Sequence, residues 1–242
     1  MQDIESTIVF APWIGDGYKA GIEGKRVMIL GESLYHSCED DLRCRDADQS
    51  RRDALHREFN QAFIADCTNY PHSSPLSYRV PELFAMDKRE FWPRVSFYNY
   101  LQTFAGPKAR VRPGEDQWCS VESAIAFQEA LDELEPDRVL VLGRKLWTYL
   151  PSDPKVLASS PEPEPRLPVP NPGRNYSGVD LHCYWYRCKS GQAALLMPVM
   201  HPSAPRFAIE NWTDAVARWL RFDEMPGAPG TVEAGHAGSS GR

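Results

Sequence analysis

An apolar run that ends in a glycine, followed at once by polar side chains, limits the fold more than any other part of this sequence. The run is Val27-Met28-Ile29-Leu30, and it leads directly into Gly31-Glu32-Ser33-Leu34-Tyr35-His36. A short apolar run bounded by glycine is typical of a buried strand in a parallel sheet. Because ligands of open α/β sheets bind beyond the carboxyl ends of the strands, the polar groups after Gly31 are candidate site residues.

Alternating strand-like and helix-like segments along the chain predict an α/β fold. Apolar runs at 95–98, 138–142 and 193–200 predict three more strands, and amphipathic patterns predict helices over 48–66, 119–135 and 211–222. Pro198 indicates an edge strand or a bulge, and the proline- and serine-rich residues 67–81 indicate a loop. The predicted architecture is a three-layer α/β/α domain with a mostly parallel four-stranded central sheet.

The predicted domain spans residues 1–223. It includes an irregular amino-terminal arm at 1–24 and an extended proline-rich excursion at 151–175. Residues 224–242 are rich in Gly, Ala, Pro and Ser and are expected to be disordered.

Composition narrows the function classes. No apolar run approaches the roughly 20 residues that span a bilayer, and the acidic start of the chain does not resemble a signal peptide. We therefore expect a cytoplasmic protein with no membrane partner, and a monomer. The six cysteines include no C-x-x-C pair, so no metal and no cofactor are expected. Phosphate-binding, dinucleotide-binding and nucleophilic-serine motifs are also missing from the sequence.

Three other strand ends carry side chains suited to a site. Asn99 follows the second predicted strand, and its amide either reads the edge of a base or caps the next turn. Gly143-Arg144 follows the third strand, and His201-Pro202-Ser203 follows the fourth. The net charge is −6, yet residues 79–112 contain seven Lys or Arg against three acids, which is a local charge of +4 and compatible with DNA.

These motifs, in this order, resemble those of the uracil-DNA glycosylase superfamily. Gly31–His36 is similar to the superfamily's G-Q-D-P-Y-H motif, and His201-Pro202-Ser203 to its H-P-S loop. Phe97-Tyr98-Asn99 resembles the segment that ends in the base-reading Asn, and residues 139–144 resemble a V-x-x-L-G-R strand and turn. The resemblance covers about residues 25–222.

The first motif departs from that pattern. Ser33 stands at the usual Asp position and Leu34 at the usual Pro position, while a carboxylate, Glu32, comes one place earlier. A Glu at this place is similar to the iron–sulfur branch of the superfamily, although the four-cysteine spacing of that branch is absent.

The resemblance implies a role for each site residue. Cleavage of an N-glycosidic bond needs a carboxylate near the sugar and a donor for the charge that develops on the leaving base, and these roles fall to Glu32 and His201. The pocket around the substrate would be formed by Gly31, Ser33, Tyr35, His36, Asn99, Gly143 and Arg144. DNA would be contacted by Pro202, Ser203, Ala204 and Arg206.

The sequence therefore predicts a DNA glycosylase-like hydrolase of base-excision repair. It would cleave the N-glycosidic bond of a flipped, deaminated base such as uracil in single- or double-stranded DNA. Two alternatives stay open, namely a non-catalytic module of the same fold that binds nucleic acid or a modified base, and a hydrolase of small nucleosides.

Overall fold

The computed structural model describes residues 6–35, 49–69, 74–106, 111–168 and 182–223. Its strands are β1 (Trp13–Ile14), β2 (Val27–Gly31), β3 (Val95–Asn99), β4 (Arg138–Leu142), β5 (Glu162–Pro168), β6 (His182–Arg187) and β7 (Ala193–Val199). Its α-helices are α1 (Gln49–Asn69), α2 (Pro75–Leu83), α3 (Lys88–Phe91), α4 (Glu115–Trp118), α5 (Val121–Leu134), α6 (Arg144–Tyr149) and α7 (Thr213–Arg221). Short 3₁₀ turns lie at Trp92–Arg94 and Ile209–Asn211.

The strands form one mixed sheet in the order β1-β3-β2-β4-β7-β6-β5. The four central strands, β3-β2-β4-β7, run parallel, and they correspond to the four strands predicted from the sequence. The prediction of a mostly parallel four-stranded sheet is nevertheless not confirmed, because the described sheet has seven strands and three of its six pairings are antiparallel.

The additional strands lie at the two edges of the sheet, where pattern-based prediction is weakest. β1 is two residues long and pairs with β3, so the predicted irregular arm contains a short extended segment. β5 comes from the proline-rich excursion. Proline can serve an edge strand because one side of that strand needs no ladder hydrogen bonds.

Helices cover both faces of the sheet. In β2, Val27 and Ile29 pack in one apolar cluster with side chains of α1, α2 and α7, whereas Met28 and Leu30 pack in a second cluster with α5 and α6. Successive side chains of a strand point to opposite faces, so a strand buried on both faces is apolar at every position. All five residues of β2 are buried, and this burial fixes the position of the polar groups that follow it.

Helix α2 replaces part of the loop predicted at 67–81. The Ser74 side chain accepts a hydrogen bond from the backbone N–H of Leu76 at 3.3 Å, and Pro75 occupies the first turn. Serine at the N-cap followed by proline is a helix-start signal, so the prolines that suggested a loop here begin a helix instead.

Pro198 was predicted to mark an edge strand or a bulge. It lies in β7, between β4 and β6, so the edge alternative was wrong. It pairs with Val141 of β4, but the register of β7 with β6 stops at Leu196. Pro198 has no backbone N–H to donate. It lies beyond the part of β7 that pairs with β6, so β6 needs no donor there. No helix in the described part of the chain is both long and apolar enough to cross a membrane.

A buried arginine joins the start of β4 to the end of α7. Arg138 is 3% exposed, and its guanidinium donates to the carbonyl of Trp219 at 2.9 Å, to that of Asp137 at 2.9 Å and to that of Phe222. The last carbonyls of a helix have no partner within the helix, so Arg138 supplies donors that α7 needs.

Replacing Arg138 by Met should destabilise the protein by about 1–3 kcal/mol, because the carbonyls of Trp219 and Phe222 would lose the hydrogen bonds that the guanidinium donates. Urea unfolding measures this change. Arg94→Met is the matched control, since Arg94 is 46% exposed and pairs with Glu90 on the surface, and it should cost less than about 0.5 kcal/mol. Equal effects of the two substitutions would contradict the role of Arg138.

Candidate functional site

The carboxyl ends of the four parallel strands bring the sequence motifs to one edge of the sheet. Gly31 pairs with Asn99 at the ends of β2 and β3, and Leu142 pairs with Val199 at the ends of β4 and β7. The N–H of Gly143 also donates to the carbonyl of Val199 at 2.9 Å. Residues that follow these strands, including Glu32 and His201, therefore extend from the same edge.

Glu32 is a buried carboxylate with an incomplete set of partners. Its residue is 8% exposed, and Oε1 is buried with no hydrogen-bond partner among the described residues. Oε2 lies 3.8 Å from Nη1 of Arg112, which is too long for a hydrogen bond. Burial raises the pKa of Glu32, and the positive charges of Arg112 and Lys145 oppose that rise. A carboxylate is seldom buried without hydrogen-bond partners, so the position of Glu32 calls for a functional explanation.

The two cations near Glu32 were not identified from the sequence. The Arg112 side chain is 77% exposed, and the pattern around it showed only a basic segment. Lys145 follows the Gly143-Arg144 turn, and its Nζ lies 5.2 Å from the ring centre of Trp118. Trp118 stacks on Tyr149 at 5.4 Å, so an aromatic pair lies beside this ammonium group, and the charge of Lys145 opposes the rise in the pKa of Glu32.

His201 is held as a neutral imidazole that carries its proton on Nε2. The backbone N–H of Ser203 donates to Nδ1 at 3.1 Å, so Nδ1 acts as an acceptor and the ring proton is assigned to Nε2. Burial, helped by the charge of Arg112, lowers the pKa of His201 to about 4. A neutral imidazole of this kind can donate a hydrogen bond from Nε2 at neutral pH without being a cation.

The loop that carries His201 is anchored at several points. The N–H of Ala204 donates to the His201 carbonyl at 2.9 Å, and the Arg79 guanidinium donates to the Pro202 carbonyl at 2.5 Å. Gly143 lies beside His201 with φ of +117°, which is a conformation that residues with a Cβ rarely adopt. Ser203 and Ala204 are among the residues predicted to contact DNA, and in this structure their backbone N–H groups donate to His201.

Among the described residues, the Asn99 side chain bonds to helix α1 rather than to the next turn. It is 3% exposed, and its Nδ2 donates to Oδ1 of Asn60 at 2.9 Å. Its Oδ1 lies over Gly31, where an added Cβ would come within 2.5 Å of it. Gly31 is therefore needed for space rather than for an unusual backbone angle.

The remaining predicted residues lie around this site or outside the described residues. Ser33 is half-buried, and its Oγ is buried without a partner among the described residues. Tyr35 is 40% exposed, and Arg144, Ser203 and Arg206 are exposed. His36 falls outside the described residues. Within the described ranges, no group of three His, Cys, Asp or Glu side chains is arranged to hold a metal ion.

A scan against models of protein families and a search of curated proteins both find no match.

Gly31→Ala should destabilise the protein by about 1–3 kcal/mol, because the new methyl group would displace the Asn99 amide. Thermal unfolding measures the change. Gly24→Asn is a suitable control, since Gly24 has φ of +76° with nothing within 4 Å of an added Cβ, and Asn tolerates this conformation. A Gly31→Ala protein as stable as the control variant would show that Asn99 has room to move.

The stability of the protein should fall as the pH drops from about 6.5 towards 4, in part because of His201. The pKa of His201 in the folded state is about 4, below the ordinary value of 6.5. Between these two pH values His201 binds a proton in the unfolded chain but not in the folded one, so the unfolded chain is favoured as the pH falls. His201→Gln keeps an acceptor for Ser203 and should lose less stability over the same interval.

Urea unfolding at several pH values measures this difference. The raised pKa of Glu32 acts in the opposite direction, so the comparison uses the difference between His201→Gln and the unmodified protein. Parallel pH curves for the two proteins would contradict the lowered pKa of His201.

Proposed function

We propose that this protein is a DNA glycosylase-like hydrolase that cleaves the N-glycosidic bond of a flipped, deaminated base. The observation that carries the proposal is the combination of a buried, incompletely paired Glu32 with a neutral His201 that donates from Nε2, both at one edge of the sheet. The four parallel strands at the centre of the sheet also fit the uracil-DNA glycosylase-like α/β/α arrangement that the motifs suggest.

Glu32 would stabilise the sugar as its bond to the base breaks. Positive charge develops on the sugar in such a transition state, and a carboxylate in a partly dry site interacts with it more strongly than in water. Oε1 has no partner among the described residues, so it can accept a hydrogen bond from the attacking water or face the sugar. The water oxygen forms the new bond to the sugar carbon, and one of its protons leaves to Glu32 or to solvent.

His201 would stabilise the departing base. The electron pair of the broken bond moves into the base, and the negative charge reaches a carbonyl oxygen of its ring. A hydrogen bond from Nε2–H of a neutral imidazole supports that oxygen without transferring its proton. The lowered pKa keeps His201 in this donor state at neutral pH.

The exposed groups around the site suit a DNA strand. Tyr35 presents an aromatic ring to solvent, on which a base can stack. Arg144 and Arg206 are exposed cations beside the strand ends that carry Gly143 and His201, where they can reach phosphates.

A non-catalytic binding module is the second candidate, and one observation favours it. Ser33 occupies the position at which the resembled motif has its acidic group, and its hydroxyl is buried without a hydrogen-bond partner among the described residues. Such a protein would hold a modified base in the same pocket without breaking the bond.

Glu32→Gln and His201→Gln should each reduce base excision by about 10²-fold or more, because each removes an interaction that strengthens in the transition state. The assay uses single- and double-stranded oligonucleotides that contain uracil, hypoxanthine or xanthine, with abasic sites revealed by alkali. The double variant should lose less than the product of the single effects if the two groups act together.

Arg94→Gln, on the surface away from the strand ends, is the control and should keep full activity. Retarded DNA without abasic sites would favour the binding module. Turnover of free nucleosides with no salt-dependent affinity for DNA would favour a nucleoside hydrolase. Full activity of a folded Glu32→Gln protein would rule out the role given to Glu32.

A further inference from the structure

A network of buried amides surrounds Asn99 and reaches the amino-terminal arm. Asn60, in helix α1, is fully buried, and its Nδ2 donates to the carbonyl of Ala11 at 2.8 Å and to that of Phe10 at 3.4 Å. Its Oδ1 accepts from Nδ2 of Asn99 at 2.9 Å. Asn60 thus connects the arm to the end of β3.

This arrangement fixes which end of the Asn60 amide faces Asn99. A backbone carbonyl only accepts hydrogen bonds, so the nitrogen of Asn60 must face Ala11 and its oxygen must face Asn99. An oxygen in turn accepts only from a donor, so the nitrogen of Asn99 must face Asn60. The Asn99 oxygen is then turned towards Gly31, which agrees with its position 2.5 Å from the place of an added Cβ.

A second amide holds the backbone of Asn99 and the same arm. Gln102 is 4% exposed, and its Nε2 donates to the Asn99 carbonyl at 2.9 Å. Its Oε1 accepts from the N–H groups of Val9 and Phe10 at 2.8 and 3.0 Å. Gln102 therefore secures the position of residue 99, whereas Asn60 secures the direction of its side-chain amide.

We propose that Asn60 is a positioning residue that sets the base preference of the site by fixing the direction of the Asn99 amide. Beside Gly31, the Asn99 oxygen is an acceptor in a fixed place. Opposite the ring nitrogen of a base, it accepts a hydrogen bond from a ring N–H next to a carbonyl and repels a bare ring nitrogen. Uracil and hypoxanthine carry this pair, whereas cytosine and adenine present a bare ring nitrogen beside an amino group. The proposal rests on the glycosylase function above and specifies its substrate class.

The test compares Asn60→Leu with Gln61→Leu. Gln61 is next to Asn60 in α1 and donates to the carbonyl of Pro12 at 3.3 Å, so its loss weakens the hold on the arm but leaves the Asn60–Asn99 bond. Single-turnover excision is measured on single-stranded oligonucleotides that carry uracil or cytosine at the same place, so that base pairing contributes nothing.

Asn60→Leu should lower the rate on uracil by about 10²-fold and narrow the preference for uracil over cytosine by at least about 10-fold, because the Asn99 amide is free to turn. Gln61→Leu should keep the preference of the unmodified protein. A substitution that only loosens the fold lowers both rates and leaves their ratio unchanged. A folded Asn60→Leu protein with an unchanged ratio would overturn the proposal.

A second measurement uses the unmodified protein and needs no variant and no excision assay. In the unmodified protein, NMR should show that the side-chain N–H₂ group of Asn99 exchanges with solvent much more slowly than that of Asn211, which is exposed. Equally rapid exchange would overturn the fixed direction of Asn99. Slow exchange in a protein that excises no base would support the fixed amide and refute the glycosylase function instead.

Discussion

The burial of the Glu32 carboxylate is the constraint on which the arrangement of the site depends. Moving a carboxylate out of water costs several kcal/mol unless hydrogen bonds and opposite charges replace the lost solvent. Arg112 replaces little of it, because its guanidinium is mostly exposed and remains 3.8 Å away. The position of Glu32 is instead imposed by the backbone, since the N–H groups of Tyr100 and Leu101 donate to the carbonyls of Gly31 and Glu32. The sheet therefore holds a poorly solvated carboxylate in a position that is energetically unfavourable for its charged form.

The same surroundings keep His201 uncharged. Burial opposes an imidazolium, and the guanidinium of Arg112, which favours the charged form of Glu32, repels a second cation. The pKa of Glu32 is raised and that of His201 is lowered to about 4, so burial disfavours the charged form of both groups. With Nδ1 engaged by Ser203, the His201 proton remains on Nε2. A site with one carboxylate and one neutral donor can act on two developing charges of opposite sign.

The central part of this structure could be predicted from the sequence because local patterns determine it. Strands buried on both faces are apolar throughout, and glycine or polar residues mark their ends, so β2, β3, β4 and β7 and the residues after them were identified. The edge strands β1 and β5 were missed because a two-residue strand and a proline-rich strand carry no such pattern. Arg112 and Lys145 were missed for a different reason. Their closeness to Glu32 depends on how distant segments of the chain pack, and the spacing of residues in the sequence does not predict it.

Asn60 shows most clearly why a site cannot be read from its motifs alone. It lies in α1, 39 positions from Asn99, and it looks like one polar residue beside the apolar stripe of an amphipathic helix. Its importance comes from the order of donors and acceptors from Ala11 to Asn60 to Asn99, in which each partner determines the orientation of the next. Each buried polar group that loses its partner costs free energy, and turning one amide of this network would leave two or more polar atoms without partners. That penalty keeps the Asn99 amide in one direction, and it makes residues 9–11 of the arm part of the site although they need not touch a substrate.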